Sequence, residues 1–213
     1  MKDISRLQRS KSMNAGDCLE IFKQVLVDYH RINQVDAMLN NPHPSQSVAA
    51  TLYQKCWVDT VQWHLEDLVR DPSIDPVSGL QLKRRIDASN QLRTDLVEQI
   101  DDFILTSLAG VEPQAAAPIN TESPAWAIDR LSILVLKIYH MHEEATRVEA
   151  GEAHQARCTQ KLKVLLEQEK DLTRSIDQLL SDLAAGKKQM KVYRQMKMYN
   201  DATLNPVLYQ QKQ

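Results

Sequence analysis

Glycine is scarce, with five residues in a chain of 213. Folds rich in strands and tight turns consume glycine at positive φ, and average usage is roughly 7%. The shortage argues against β-sandwiches, barrels and glycine-rich nucleotide folds. Cysteine is scarce as well: Cys18, Cys56 and Cys158 are odd in number and far apart. That argues against a disulfide framework and for free thiols in a reducing compartment, so the expected location is cytoplasmic. No apolar run reaches the roughly 18 residues that a membrane-crossing helix needs. The basic start (Lys2, Arg6, Arg9, Lys11) lacks the apolar stretch that follows in a signal peptide. Neither sign of charge dominates, since 26 Lys plus Arg meet 28 Asp plus Glu for a net charge of −2. Binding to nucleic acid by counterion release needs a surplus of cations. Nucleic acid and membrane are therefore not expected as partners.

What is present is helical periodicity. All five glycines and all eight prolines fall between periodic segments and cut the chain into about five long pieces. The first helix is expected over 17–39, with Asp17 as N-cap and an apolar stripe of Phe22, Val25, Tyr29, Ile32 and Leu39. The second runs over 45–70 and stops at Asp71-Pro72, because proline disfavours α geometry in the residue before it. A third covers 76–109, a Pro/Ala-rich connection 110–124, a fourth helix 125–150 and a fifth 152–185. Residues 1–16 read as a loose or short-helical arm, and the basic segment from Lys187 to Tyr199 as a short last helix within the C-terminal segment 187–213. The fourth helix has almost no polar face (Ile128, Leu131, Ile133, Leu134, Val135, Leu136, Ile138), so it belongs at the centre. The expected fold is all-α, one domain over 1–213, with four to five long helices around that central one. The C-terminal helix or tail docks on the bundle through Met190, Val192, Tyr193, Met196, Tyr199 and Leu204. The fifth helix carries a narrow seam of Leu162, Leu165, Leu172, Ile176, Leu179 and Leu183. It reads first as packing on its own bundle and second as a dimer seam.

Chemistry is sought where periodicity turns polar side chains inward, because a buried charge is costly unless paired. On the second helix, His64 shares a face with Trp57, Val61 and Leu68, and Asp67 and Arg70 follow it. His64 is the candidate acid/base, with Asp67 to orient it; the alternative is a satisfied core histidine on a solvated flank. On the third, Asn90 and Arg93 interrupt the stripe of Ile86, Val97, Ile100 and Ile104. An inward Arg93 demands carboxylates, as an interhelical clamp, or an anionic ligand. On the fourth, Asp129 fits a first-turn acid complementing the helix dipole, Arg130 has no such explanation, and Lys137 stands alone in the apolar run. His140-x-x-Glu143 has helical spacing for two ligands but reverses the Glu-x-x-His order of di-iron bundles. His64, Glu66, Asp67, His140 and Glu143 are of ligand type, yet neither His-Glu-x-x-His nor Cys-x-x-Cys is present, so no metal ligands are assigned and no cofactor is named. Glu98-x-x-Asp101 is similar to half of an all-helical pyrophosphatase signature whose upstream Glu pair is missing.

Taken as a set, four stretches resemble an uncharacterised bacterial helical family, domain of unknown function 4254. They are Trp63-His64-Leu65-Glu66-Asp67 with Arg70, Arg85-Ile86-Asp87 with Asn90-Gln91 and Arg93, Asp129-Arg130-Leu131-Ser132-Ile133-Leu134 with Lys137-Ile138-Tyr139-His140, and Lys197-Met198-Tyr199-Asn200-Asp201 with Leu204-Asn205-Pro206. Ala202 departs from the proline expected in the last stretch. The resemblance implies a bacterial, soluble, all-helical protein and carries over no activity and no catalytic residues. The residues themselves favour a bundle that binds a phosphate- or carboxylate-bearing small molecule through Arg70, Asn90, Arg93, Asp129, Arg130, Lys137 and His140. His64 and Asp67 are the candidate catalytic pair. The alternative is a structural or regulatory protein, a homo-oligomer associating through 152–185 without catalysis. The first reading requires His64 and Arg93 to share one hollow.

Overall fold

A computed structural model describes residues 13–196 and 203–204. Five α-helices run α1 Ala15–Ile32, α2 Val48–Val69, α3 Pro76–Ser107, α4 Pro124–Thr146 and α5 Glu152–Ala184, with one 3₁₀ turn, Val148–Ala150, before α5. Among the described residues there is no strand, only an isolated bridge between Ile119 and Gln189. No described helix is long and apolar enough to cross a membrane.

Helix ends follow local chemistry. Asn14, not Asp17, caps α1: its Oδ1 accepts from the Asp17 N–H at 2.8 Å while its Nδ2 donates to the Asp17 carboxylate. Asp177 of α5 accepts the Ala15 N–H at 2.7 Å, tying the start of α1 to α5. The helix then ends seven residues before the expected Leu39, because Asn33 adopts the left-handed conformation (φ 52°, ψ 48°) that closes a helix. Leu39 still reaches the core, from the loop. Ser47 and Asp75 cap α2 and α3, and Pro76 begins α3 where a missing N–H costs nothing. At α4 the N-cap Ser123 makes no cap bond of its own; Asp101 of α3 accepts the Ala125 N–H at 3.1 Å and the Ser123 hydroxyl. Glu98 accepts the Gln195 N–H at 2.8 Å and pairs with Arg194. The two carboxylates of the fragmentary pyrophosphatase pattern are thus engaged in fold contacts.

α4 touches each of the other four helices, packing most heavily on α5, while α2 packs on α3 and α1 lies across α2 and α4. Ile128, Leu131, Leu134, Val135 and Leu136 of α4 are buried, as a central helix requires. In α5, Ile176, Leu179 and Leu183 are buried and Leu162, Leu165 and Leu172 half-buried, so the lower half of the leucine seam packs on its own bundle.

The C-terminal segment departs from expectation. Residues 187–196 form no helix but an extended strap along the 110–124 connection. The Gln114 N–H donates to Gly186 O and the Gln189 N–H to Pro118 O, so backbone groups a helix would use are engaged across the loop. Arg194 fastens the strap to Glu98 and Asp102 of α3. Met190 packs on the core, whereas Tyr193, Met196 and Leu204 are exposed. Residues 1–12 of the arm expected over 1–16, Tyr199 and the last stretch apart from Leu204 lie outside the described residues, while Ala15 and Gly16 already belong to α1. Gly186 turns the chain at φ 66°, where an added Cβ would stand 2.6 Å from the Glu112 carbonyl oxygen. Gly186→Ala is therefore expected to cost at least the roughly 1–2 kcal/mol of a left-handed residue and to speed proteolysis within 187–196, read by limited digestion.

Candidate functional site

Three helices bring four charges into the dry centre. Lys55 and Asp59 lie one turn apart on α2, Arg93 on α3 and Asp129 on α4, and only Arg93 keeps substantial exposure, 26% of its side chain. Lys55 Nζ stands 2.5 Å from Asp59 Oδ2 and 2.7 Å from Asp129 Oδ1. Arg93 grips Asp129 with two bonds, Nε to Oδ1 at 3.1 Å and Nη2 to Oδ2 at 2.6 Å. Its Nε is also 3.1 Å from Asp59 Oδ1, but the hydrogen points at Asp129, so Asp59 Oδ1 receives charge attraction without a bond. Ser132 on α4 donates to Asp59 Oδ2 at 2.6 Å. Burial pushes the Asp59 carboxyl up, against the pull of Lys55 and Arg93. Two cations and two anions close a neutral ring. Asp129 is therefore the carboxylate of a clamp rather than a first-turn acid.

Arg93 separates two hollows. A groove of about 680 Å³ between α3, α4 and α5 is lined by Arg93, Asp129, Arg130, Lys137, Leu165, Asp171 and Leu172, among others. A smaller hollow of about 260 Å³ on the other side is lined by Asp59, Gln62, Trp63, Glu66, Asp67, Arg70 and Arg93 with apolar α4 residues. The ring bonds occupy Nε and Nη2 of Arg93, leaving Nη1 over.

His64 is not in this ring. It faces His30 of α1 and His140 of α4, with ring centroids 5.5 Å from each. The expected meeting of His64 and Arg93 in one hollow does not occur: the imidazole and the guanidinium belong to separate clusters. Asp67 does not orient His64 either, because its side chain is 63% exposed and pairs with Arg70 at 3.5 Å. Arg70, expected inward, is 65% exposed and pairs along its own helix with Glu66. Arg130 is likewise exposed and grips Glu122, while Lys137 snorkels to the surface at the groove. Asn90 accepts from Gln62 Nε2 at 2.9 Å, bridging α3 to α2. The His140-x-x-Glu143 spacing is realised as a bond from His140 Nδ1 to the Glu143 carboxylate at 2.8 Å. Sequence reading missed Lys55, Asp59 and His30.

Aromatic rings pack around the three imidazoles. Trp63 stacks on His140 at 4.9 Å, Tyr139 on His30 at 4.2 Å and Tyr29 on His64 at 5.3 Å. Burial is the largest cause holding His30 and His64 below the usual imidazole range, and neighbouring imidazoles add to it. As pH falls through the ordinary imidazole value of about 6.5, the unfolded chain binds protons that the folded one refuses. Stability contributed by these groups is complete above that value and declines below it. In chelating buffer the melting temperature is expected to fall by a few degrees from about pH 7.5 to 5.5, and His64→Phe to flatten that slope in a pH series of thermal melts.

A family model described as protein of unknown function (DUF4254) matches residues 49–192, more than half of the chain and including all four ring residues, His64 and His140. No curated protein matches the chain. No solved structure matches it.

Proposed function

We propose, from the premise that this chain belongs to the family of proteins of unknown function DUF4254, that it binds an anionic small molecule bearing phosphate or carboxylate in the groove between α3, α4 and α5. The observation that carries this reading is the posture of Arg93, whose guanidinium is held on the bundle side by Asp129 and Asp59 and borders the groove. A donor fixed beforehand loses little entropy when it receives an anion, and the guanidinium hydrogens not spent on Asp129 suit phosphate and carboxylate oxygens. Lys137 and Arg130 add positive charge from α4, two turns apart along the same wall, and the groove of about 680 Å³ lies within the roughly 300–1,000 Å³ of small-molecule sites. Leu165 and Leu172 of the α5 seam supply an apolar wall there.

The test is a thermal-shift panel of inorganic phosphate, citrate and nucleoside monophosphates on the full chain. At least one anion should raise the melting temperature saturably. Lys137→Glu, at an exposed position, should weaken that ligand by about tenfold or more while leaving the unliganded melt unchanged. Equal melting across the whole panel would overturn the reading.

The alternative, an interaction protein associating through α5, is favoured by Val164 and Leu166, which are 54% and 40% exposed on that helix. It predicts that Leu166→Asp lowers the mass seen by light scattering, whereas the ligand reading predicts no change.

A further inference from the structure

Three histidines from three helices converge: His30 of α1, His64 of α2 and His140 of α4 each place a ligand nitrogen within 4.8 Å of the other two. No other group of three or more His, Cys, Asp or Glu with this geometry occurs among the described residues. From this convergence we propose a metal site in which these three imidazoles bind one divalent transition-metal ion of the zinc class and staple α1, α2 and α4 together.

The unpartnered atoms are the strongest argument. Seven buried side-chain polar atoms lack a hydrogen-bond partner among the described residues, and three of them are Nε2 of His30, His64 and His140. A fourth is the hydroxyl of Tyr29, whose ring stacks on His64. Buried polar groups are normally satisfied, so orphans concentrated at one junction point to a missing binding partner. The opposite ring nitrogens supply the second argument. His30 Nδ1 lies 2.7 Å from the Leu26 carbonyl oxygen and His140 Nδ1 lies 2.8 Å from the Glu143 carboxylate. Each acceptor requires the proton on Nδ1, which leaves the lone pair on Nε2. Metal-binding histidines use this arrangement, donating one N–H to a carbonyl or carboxylate while the other nitrogen ligates.

The dimensions also fit. Ligand nitrogens roughly 2.0–2.1 Å from a tetrahedral ion stand a little over 3 Å apart, and small ring rotations close that distance from the 4.8 Å limit. Stacked Trp63, Tyr139 and Tyr29 restrict the three rings to small adjustments, so few rotamers need to be frozen on binding. Three imidazoles without thiolate favour zinc, cobalt, nickel or copper(II), whereas calcium and magnesium require oxygen ligands. Three protein ligands leave the fourth tetrahedral position to water or an added ligand. Neither hollow beside Arg93 has a histidine in its lining, which separates this site from the proposed anion groove.

The experiment uses the untagged full chain, stripped with chelator and then titrated with Co²⁺ and with Zn²⁺. One equivalent of Co²⁺ should develop tetrahedral ligand-field bands that one equivalent of Zn²⁺ erases. Metal at 100 times its Kd should raise the melting temperature by about 5–10 °C, and Mg²⁺ and Ca²⁺ should do nothing. His64→Phe should abolish both signals while refilling the aromatic cluster. Glu143→Gln, at a half-exposed position outside the ligand set, should weaken binding by about 10–100-fold and so keeps the proposal testable if His64→Phe fails to fold. His142→Ala, exposed on the same helix, should bind as the parent does. Absent cobalt bands, an unmoved melt, or binding unchanged in Glu143→Gln and lost in His142→Ala would each overturn the site. Loss of metal binding leaves the anion panel unaffected, so the two proposals fail separately.

Discussion

Lys55→Met is expected to destabilise the fold by about 3–5 kcal/mol. Lys55 is fully buried and supplies the cation between Asp59 and Asp129, at 2.5 and 2.7 Å. Methionine keeps an unbranched chain, one atom shorter, but removes the charge. Two carboxylates then remain in the dry centre with Arg93 as their only cation in the ring, and leaving a buried charge uncompensated costs far more than the intact pair contributes. Urea denaturation reads the loss as a lower midpoint at unchanged slope. The double variant Lys55→Met with Asp59→Leu should recover much of it, because the two-bond Arg93–Asp129 clamp survives with charges balanced. A single-variant cost below about 1 kcal/mol would place these charges in contact with water and dissolve the ring.

Phe22→Ala is the second large effect, expected at about 3–5 kcal/mol. Phe22 has no exposed surface and belongs to the core shared by α1, α2 and α4, where its carbonyl also accepts from the Cys56 thiol. Removing the ring leaves a cavity that the surrounding helices close only in part. For a domain of this size about 2–4 °C is lost per kcal/mol, so calorimetry should show a melt lower by at least 6 °C or so. Val27→Ala on the same helix, at a position 51% exposed, should stay within about 0.5 kcal/mol. A comparable drop for both would mean that α1 is not seated on its Phe22 face.

How far the sequence foretold this depends on the range of the physics involved. Short-range signals were legible. α3 begins at 76 as expected and α2 ends before Asp71-Pro72, because a proline ring acts within its own turn. The nearly unbroken apolar run of α4 identified the central helix, since burial on every side leaves no place for polar residues. The end of α1 was missed although Asn33 carries a local signal, because the apolar period continues past it to Leu39. The strap over 187–196 was missed for a different reason: Gln189 is held by the Pro118 and Ala117 carbonyls, about 70 residues away.

The site divides in the same way. Arg93 was legible as an inward cation, and its pairing with Asp129 is the clamp that an inward guanidinium demands. Lys55 and Asp59 were not, because opposite charges four residues apart read as an exposed helical pair until Leu52 and Cys56 around them prove buried. His30 stands beside Arg31 near the end of α1, in a run with no motif, and only the crossing of α1 over α2 and α4 brings it to His64 and His140. Metal-ligand spacings detect ligands that share one segment, and these three come from three segments. Arg70 and Asp67 were placed inward by following the His64 face one turn too far; α2 has reached solvent by then.

The most direct test of the anion reading is the side-chain Nε–Hε resonance of Arg93, followed by NMR through a titration of the full chain with inorganic phosphate and then citrate. Bonding to Asp129 should set that signal apart in the unliganded protein. The account predicts a saturable shift of this resonance together with amides of α4 around Arg130 and Lys137. A resonance that stays fixed through both titrations, while exposed arginines drift with ionic strength alone, would contradict it.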